Sequence, residues 1–416
     1  MGIVSEIAKK SRGASYFLAN TGSNLKNKVL KDISDMLIDE SDEIINANDI
    51  DCREAEKDGI SESLLDRLKL DHKRIEDISR SIQDVINFND PVGEVIFGYK
   101  LPNGLALSNV RAPFGVIGII YEARPNVTVD CAVLCLKAGS AVILRGSSHA
   151  MKTNMKLVEI MKKALIKNEF PEELIQIIPT SSREDAEEMM KLREYIDVLI
   201  PRGGKGLIEN VVNNSRVPVI ETGIGNCHIY IDNKSGLPVE KVIDIIINSK
   251  TQRPSVCNAA EKLLIHAESA QKLLPLILKA LENKNVRLKG CDRVKKIYPS
   301  IEIASEDDWF EEYLDLIMAV KIVDSIEDAV NHINKYGSHH SETIITSDYE
   351  NARYFTSRVD SSTVYVNAST RFTDGGQFGM GAEIGISTQK MHWRGPMGLR
   401  QLTTNKFIIF GDGQIR

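Results

Sequence analysis

Hydrophobic positions in the first ninety residues recur at helical spacing. Between Leu25 and Leu37 the apolar side chains follow the i, i+3, i+4 rule, and a second such stretch runs from about Ile75 to Ile86. Asp90-Pro91 follows the second stretch. The pattern therefore predicts that this part of the chain is helical.

The hydrophobic pattern changes after residue 92. Residues 94–110 contain two short β-like runs on either side of Pro102-Asn103-Gly104. Asn-Gly between two such runs is typical of a tight β-hairpin. We therefore predict a hairpin here.

Residues 111–220 alternate between short apolar runs and helical stretches. The apolar runs are 115–120, 141–146, 175–178, 197–200 and 217–220. Several are hydrophobic throughout, as strands are when both faces of a sheet are covered. The pattern predicts a doubly wound parallel sheet of about five strands, with ligands outside the carboxyl ends of the strands.

A second alternating segment follows and predicts a second α/β domain. Its strands are predicted at 228–231, 262–265, 286–289, 318–323, 342–346 and 363–367, with helices at 237–251, 269–283 and 325–335. A glycine-rich stretch then covers 372–385, and a strand with a turn is predicted at 403–413.

Length and charge narrow the class of protein. The 416 residues suggest two or three domains, and 52 basic against 58 acidic residues give a net charge of −6. This mild acidic excess argues against a partner that is a nucleic acid or an anionic membrane. The first residues lack an apolar signal segment and no window reaches 18 uncharged apolar residues, so we expect a cytoplasmic enzyme.

Six cysteines have irregular spacing, as is typical of thiols in a reducing compartment. Cys131 and Cys135 stand one helical turn apart in an apolar run, so we expect them in the core and predict no metal site. Cys257 follows Pro254 at a predicted turn, where helix-terminus N–H groups and Arg253 would favour the thiolate. On residue types alone, packing remains the commoner role for such a cysteine.

Polar and glycine residues follow two predicted strands. Arg145, Gly146 and Ser147 end one, and Arg202-Gly203-Gly204 end another. Glycine permits close backbone approach and a following helix N-terminus favours anions, so both loops are candidates for dinucleotide binding. Neither contains the G-x-G-x-x-G or P-loop pattern, and two ordinary loops remain an alternative.

Other candidates each have two interpretations. Glu221, after strand 217–220, is a candidate general base or a ligand of backbone amides. Asn126 is a candidate oxyanion donor or a helix cap. His339-His340 are interpreted as surface histidines without a role.

Several segments together resemble the aldehyde dehydrogenase superfamily and, within it, the glutamate-5-semialdehyde dehydrogenase family. They are 111–130, 135–150, 217–232, 248–266, 359–390 and 394–413. The resemblance covers nearly the whole chain in order. It implies an aldehyde-dehydrogenase-like α/β fold with a cofactor domain (1–92 and 111–226), a catalytic domain (227–370), a return segment (371–396) and an oligomerisation flap (93–110 and 397–416).

The resemblance also implies roles for individual residues. Cys257 matches the catalytic cysteine, and Asn126 matches an oxyanion donor that acts with the backbone N–H of Cys257. Arg145 matches a cofactor-ribose lysine, and an arginine there favours the 2′-phosphate of NADPH over NADH. Glu312 resembles the glutamate that holds the nicotinamide ribose, with an uncertainty of one position because Glu311 precedes it. The role of Glu221 stays open, since this family has no use for hydrolysis.

The implied reaction is the NADPH-dependent reduction of L-glutamyl 5-phosphate to L-glutamate 5-semialdehyde with release of phosphate, the second step of proline biosynthesis. Arg124, Arg253 and Arg371 are candidates for binding the substrate anions. A homodimer or larger oligomer is expected, and the instability of the acyl phosphate favours a transient contact with glutamate 5-kinase. The alternatives are a related acylating enzyme that uses coenzyme A or another acyl phosphate, and a non-catalytic scaffold.

Overall fold

A computed structural model describes residues 2–122 and 124–416; of Ser63 it describes the backbone. Its α-helices are α1 (Ile3–Leu18), α2 (Ser23–Asp39), α3 (Ser41–Lys57), α4 (Glu62–Leu68), α5 (His72–Asn87), α6 (Pro125–Lys137), α7 (Met151–Lys167), α8 (Arg183–Lys191), α9 (Lys205–Asn214), α10 (Val239–Thr251), α11 (Ala267–Glu282), α12 (Asp292–Ile297), α13 (Ile326–Tyr336) and α14 (Tyr349–Arg358). No helix within this described part has the length and apolarity needed to cross a bilayer.

The strands alternate with the helices after α5. They are β1 (Val95–Lys100), β2 (Ala106–Pro113), β3 (Val116–Tyr121), β4 (Ala141–Arg145), β5 (Ile175–Ile177), β6 (Val198–Arg202), β7 (Cys227–Ile231), β8 (Ala260–His266), β9 (Arg287–Gly290), β10 (Glu302–Ile303), β11 (Ile317–Val323), β12 (Ser341–Ile345), β13 (Thr363–Val366), β14 (Gly385–Ser387), β15 (Gly395–Met397) and β16 (Thr403–Phe410). The chain forms two compact units, 1–222 with 379–385 and 397–416, and 223–378 with 386–396. We call them the first and second unit.

The first unit contains a parallel sheet in the order β5-β4-β3-β6. Its strands are buried almost completely, as the apolar runs predict. The predicted fifth strand at 217–220 is wrong in extent: among the described residues it contributes one bridge, between Val219 and Leu199. Pro218 lacks an N–H and cannot donate to a ladder, so the run does not continue as a strand.

A separate three-stranded antiparallel sheet, β1-β2-β16, also belongs to the first unit. The predicted hairpin is confirmed as β1 and β2. Gly104 in its turn has φ +94°, a conformation that glycine adopts without strain. Every residue of β1 is exposed, so this sheet leaves one edge strand and its apolar side chains uncovered in the single chain.

The second unit contains a parallel sheet in the order β10-β9-β11-β8-β7-β12-β13. Successive side chains along its central strands pack alternately into two hydrophobic cores, one on each face of the sheet. Ile229 and Leu263 pack in one core, which includes α10 and α11, whereas Tyr230 and Leu264 pack in the other, which includes α13 and α14. The six predicted strands are confirmed, and β10, α12 and α14 are additions to the prediction.

Candidate active site

Cys257 lies in the second unit, in a turn between the end of α10 at Thr251 and the start of β8 at Ala260. The side chain is half-buried. Its turn joins the C-terminal end of a helix to a strand. Pro254 has no N–H to continue α10, which is why the helix ends before the cysteine.

Two neighbours hold the backbone around Cys257. The thiol of Cys227 donates to the carbonyl oxygen of Cys257 at 3.2 Å. Gly225 lies so close that a β-carbon there would meet the backbone carbonyl of Cys257. The Gly225 N–H donates to Oε1 of Glu312 at 2.7 Å, and burial raises the pKa of that carboxyl. The structure therefore groups Cys257 with Gly225 and Glu312.

The turn that carries Glu312 is held by buried charged residues that the sequence analysis missed. Nζ of Lys262 donates to the carbonyl oxygen of Glu311 at 2.7 Å. Oε1 of Glu261 accepts from the Leu314 N–H at 3.3 Å, while its Oε2 pairs with Nζ of Lys250 at 2.7 Å. Burial raises the pKa of Glu261 to about 7 and lowers that of Lys262 to about 7. The signal available in the sequence was the adjacent charged pair Glu261-Lys262 at the start of an otherwise apolar strand.

Arg371 is the substrate-binding candidate that the second unit brings to the cysteine. Its Nε–H donates to Oε1 of Gln252 at 3.1 Å, on the segment that leads to Cys257. Burial lowers the pKa of the guanidinium, and the thiolate charge of Cys257 acts in the opposite direction. Arg253 is exposed, and its charge also acts on Arg371.

His340 corrects the interpretation of His339-His340 as surface histidines. Its side chain is fully buried at the start of β12, and burial lowers its pKa to about 4. Nδ1 lies 2.8 Å from Oγ of Ser341 and 3.8 Å from Sγ of Cys227. His339 has φ +62° and its Nδ1 approaches the carbonyl oxygen of Asp360 at 2.5 Å.

Asn126 lies in the first unit as the second residue of α6, exposed to solvent. Its interpretation as a helix cap is wrong, because Arg124 occupies the N-cap position and Pro125 begins the helix. Nδ2 of Asn126 donates to Oδ2 of Asp130 at 3.1 Å. Loss of hydration raises the pKa of Asp130 to about 6, with the charge of Arg202 acting against the rise.

The first candidate cofactor loop begins at the end of β4 and contains Arg145, Gly146 and Ser147. Nη2 of Arg145 donates to the carbonyl oxygens of Ser181 and Ser182 at 2.7 and 3.1 Å, while its buried Nε has no partner among the described residues. Ser147 caps a short 3-10 helix and accepts from the His149 N–H. A β-carbon at Gly146 would meet Asn154 and Tyr121.

Glu122, which the sequence analysis missed, lies against the Arg202-Gly203-Gly204 loop. Its Oε1 accepts from the Gly204 N–H at 3.0 Å, and a β-carbon at Gly203 would meet its carboxylate. The carboxylate thus takes one N–H at the start of α9. The only available signal was an acidic residue directly after β3.

Glu221 is half-buried, and both burial and the charge of Glu209 raise the pKa of its carboxyl. This shift extends the pH range in which the carboxyl carries a proton. Arg124, also half-buried, is the N-cap of α6. Within residues 2–122 and 124–416, no group of three histidine, cysteine, aspartate or glutamate side chains is arranged to hold a metal ion.

Comparison with known proteins identifies the family. Residues 4–314 match the family model described as the aldehyde dehydrogenase family. The gamma-glutamyl phosphate reductase of Clostridium perfringens is 55% identical over 98% of this chain and 98% of that protein. The corresponding protein of Caldicellulosiruptor bescii is 55% identical over 99% of both chains. This chain belongs to the gamma-glutamyl phosphate reductases of the aldehyde dehydrogenase family.

Solved structures agree with this aldehyde dehydrogenase family assignment. The crystal structure of gamma-glutamyl phosphate reductase from Thermotoga maritima has a TM-score of 0.97, with 49% identity and full coverage of both chains. An acetylating aldehyde dehydrogenase from Geobacillus thermoglucosidasius has a TM-score of 0.69 at 17% identity, covering 99% of this chain and 97% of that one. The second likeness concerns the fold alone. The predicted aldehyde-dehydrogenase-like α/β fold is therefore confirmed.

Proposed function

We propose that this chain reduces L-glutamyl 5-phosphate to L-glutamate 5-semialdehyde with release of phosphate, with NADPH as the reductant and Cys257 as the nucleophile. The observation that carries the proposal is the half-buried Cys257 on a backbone held by Gly225, with Arg371 bonded to Gln252 on the segment that leads to the cysteine. The names of the relatives at 55% identity support glutamyl phosphate as the substrate and reduction as the reaction, and we propose proline biosynthesis as the pathway.

Covalent catalysis explains the need for a thiolate. Cys257 attacks the carbonyl carbon of the acyl phosphate, phosphate departs, and a thioester forms. Asn126 and the backbone N–H of Cys257 are proposed to donate to the oxyanion of the tetrahedral state, as the family resemblance implies. The exposed Nδ2 of Asn126 supports this role, although Asp130 already accepts one of its hydrogens.

The residues of the first unit fit a phosphorylated nicotinamide dinucleotide. The buried Nε of Arg145 lacks a partner among the described residues, as expected of a donor reserved for an anion. We propose that Arg145, Gly146 and Ser147 hold the ribose phosphate, with Arg202, Gly203 and Gly204 beside the diphosphate. Glu312, in the second unit, is proposed to hold the nicotinamide ribose. When bound, the dinucleotide supplies the hydride that reduces the thioester.

Arginine side chains are proposed to bind the substrate anions. A guanidinium matches a carboxylate or phosphate with two parallel hydrogen bonds. Arg371 has the strongest support, because its position is fixed by Gln252. Arg124 and Arg253 are further candidates. Glu221 stays in the proposed site with its role open, and its raised pKa supports proton exchange.

We also propose a homodimer or larger assembly formed through the β1-β2-β16 sheet. Phe97, Tyr99, Phe407, Ile409 and Phe410 expose large apolar surfaces on this sheet. A patch of this kind, next to an open strand edge, is typical of an interface between subunits.

A cytoplasmic location is supported by six cysteines of which none forms a disulfide. We also propose a transient contact with glutamate 5-kinase, because an acyl phosphate is short-lived.

The experiment is phosphate-dependent reduction of NADP⁺ or NAD⁺ with glutamate 5-semialdehyde, comparing the wild type with Cys257→Ala. We expect activity in the wild type, a preference for NADP⁺, and none in the variant. Activity without Cys257 would overturn the thioester mechanism, and absence of activity with this substrate in the wild type would overturn the proposed reaction. Arg145→Lys should weaken the preference for NADP⁺.

A further inference from the structure

The short turn that carries Arg371 is tied to the chain on both sides of Cys257. Before the cysteine, Oε1 of Gln252 accepts from Nε of Arg371 at 3.1 Å. After it, Asn258 follows directly and bonds to the Arg371 turn through both its backbone and its side chain. Arg371 is therefore located relative to the nucleophile by residues that flank the nucleophile.

Two buried side chains form the second of these links. Oγ1 of Thr370 donates to the carbonyl oxygen of Asn258 at 2.7 Å. In return, Nδ2 of Asn258 donates to the carbonyl oxygen of Thr373 at 2.8 Å and approaches that of Arg371 at 3.4 Å. We call this reciprocal pair the Asn258–Thr370 clamp. Asn258 and Thr370 are buried, so water does not readily replace a lost bond.

A third link joins the same turn to α10. Oγ of Ser369 lies 2.9 Å from Oγ of Ser249, and both side chains are buried. Ser369 also caps the turn, because its Oγ accepts from the Arg371 N–H. A turn held from three directions has little freedom, which is how proteins keep a charged group at a fixed distance from a reacting atom.

The fixed charge matters because the thiolate is the reactive form of cysteine. A cation within about 4–6 Å favours an ionised acid by roughly 1–3 pKa units. The turn that carries Arg371 bonds to Asn258, the residue next to Cys257, and the charges of Arg371 and Cys257 interact. A small displacement of Arg371 would therefore lower the thiolate fraction.

We propose that Asn258 and Thr370 are positioning residues that hold the turn of Arg371 next to the segment of Cys257, so that the guanidinium charge maintains the nucleophile as a thiolate. This inference rests on the proposed role of Cys257 as the nucleophile. Neither residue is assigned a contact with substrate or with the reacting atoms; both act through Arg371.

The test is Thr370→Val, which keeps the shape of the side chain and removes the hydroxyl donor. The rate of alkylation of Cys257 by iodoacetamide is measured against pH, with the modified peptide quantified by mass spectrometry. We expect the apparent pKa of the thiol to rise by roughly half a unit to one unit, a fraction of the effect of a neighbouring cation. Arg371→Gln should raise it at least as much, and Arg371→Lys should restore part of the difference.

Thr346→Val is the matched control, because the buried hydroxyl of Thr346 donates to Asp232 at 2.7 Å and makes no contact with the clamp. It should leave the alkylation profile unchanged. In the double variant Thr370→Val with Arg371→Gln, the threonine change should add nothing. Additive shifts, or an unchanged profile in Thr370→Val, would overturn the clamp. Because alkylation needs no substrate, a failure of the proposed reaction would be seen separately.

Discussion

Gly225 lies directly against the backbone carbonyl group of Cys257. A β-carbon at position 225 would overlap the carbonyl oxygen and carbon and the α-carbon of Cys257. Backbone atoms cannot rotate aside as the end of a side chain can, so the two segments would have to separate. The same glycine donates its N–H to Glu312, so one residue sets the position of both the nucleophile turn and this carboxylate.

Gly225→Ala is therefore expected to abolish most activity and to slow alkylation of Cys257, with a loss of stability of about 1–3 kcal/mol from overpacking. Steady-state kinetics and thermal unfolding measure these effects. Gly13→Ala is the control: apart from its chain neighbours and the backbone of its own helix, a β-carbon there would meet no heavy atom of the described residues within 4 Å. Full activity in Gly225→Ala would show that the contact is not required.

Lys262→Met should weaken dinucleotide binding more than it changes the reactivity of Cys257. The substitution removes the donor to the Glu311 carbonyl oxygen and a cation over the Tyr313 ring. Leu314 in the same turn has φ +54°, an unfavourable conformation that the surrounding bonds must maintain. We expect the Kd for NADPH, measured by fluorescence titration, to rise on the order of tenfold, since a charged hydrogen bond contributes about 1.5–3 kcal/mol.

The control for this substitution is Lys137→Met, which removes another buried lysine from the first unit, where its Nζ donates to the Ile86 carbonyl oxygen at 3.1 Å. It should lower stability without changing the Kd. Equal Kd values for the two variants would assign Lys262 a general structural role instead.

Phe407→Asp should reduce the size of the assembly. Phe407 is 55% exposed on β16, and its ring lies 6.2 Å from that of Phe97 on β1. A carboxylate in a buried interface would lose its hydration without a partner. Light scattering at micromolar concentration should show a smaller species than the wild type, while Tyr16→Asp, at an exposed aromatic on α1, should not change the mass. A wild type that is already monomeric would contradict the proposed interface.

Much of the fold followed from hydrophobic periodicity. The fully apolar run of β3 and the alternating cores on either side of β7 and β8 reflect how parallel strands are buried, and that signal is local. The strand predicted at 217–220 was wrong in extent because hydrophobic periodicity does not reveal that Pro218 lacks an N–H. The two-residue strand β10 is too short to carry a pattern.

The site was less predictable, because its parts depend on contacts between distant positions. The segment around Cys257 resembled a known family, yet the Asn258–Thr370 clamp joins positions far apart in the chain. His340 was interpreted as a surface residue because the polar pair His339-His340 gives no hint that one of the two rings is buried. Burial of a polar residue is decided by packing of the whole sheet.

His340 should make the protein sensitive to mild acid. Burial lowers its pKa to about 4, whereas the pKa of a histidine in the unfolded chain is about 6.5. Between these values the unfolded chain binds more protons than the folded one, so the contribution of His340 to stability is fully present above ~6.5 and is lost as the pH falls toward 4. The loss is at most about 1.4 kcal/mol per pH unit. Buried Glu342, whose pKa is raised, acts in the opposite direction.

Comparing variants separates the contribution of His340 to the pH dependence of stability from that of the buried carboxyl groups. Thermal unfolding of the wild type and of His340→Asn is measured from pH 7.5 to 4.5, and the decline in melting temperature below pH 6.5 should be shallower in the variant. His72→Asn, at an exposed histidine on α5, should decline as the wild type does. The carboxyl groups remain in all three proteins, so only the difference between slopes reports on His340. Parallel curves would mean that His340 binds its proton equally in the folded and unfolded states, contrary to its burial.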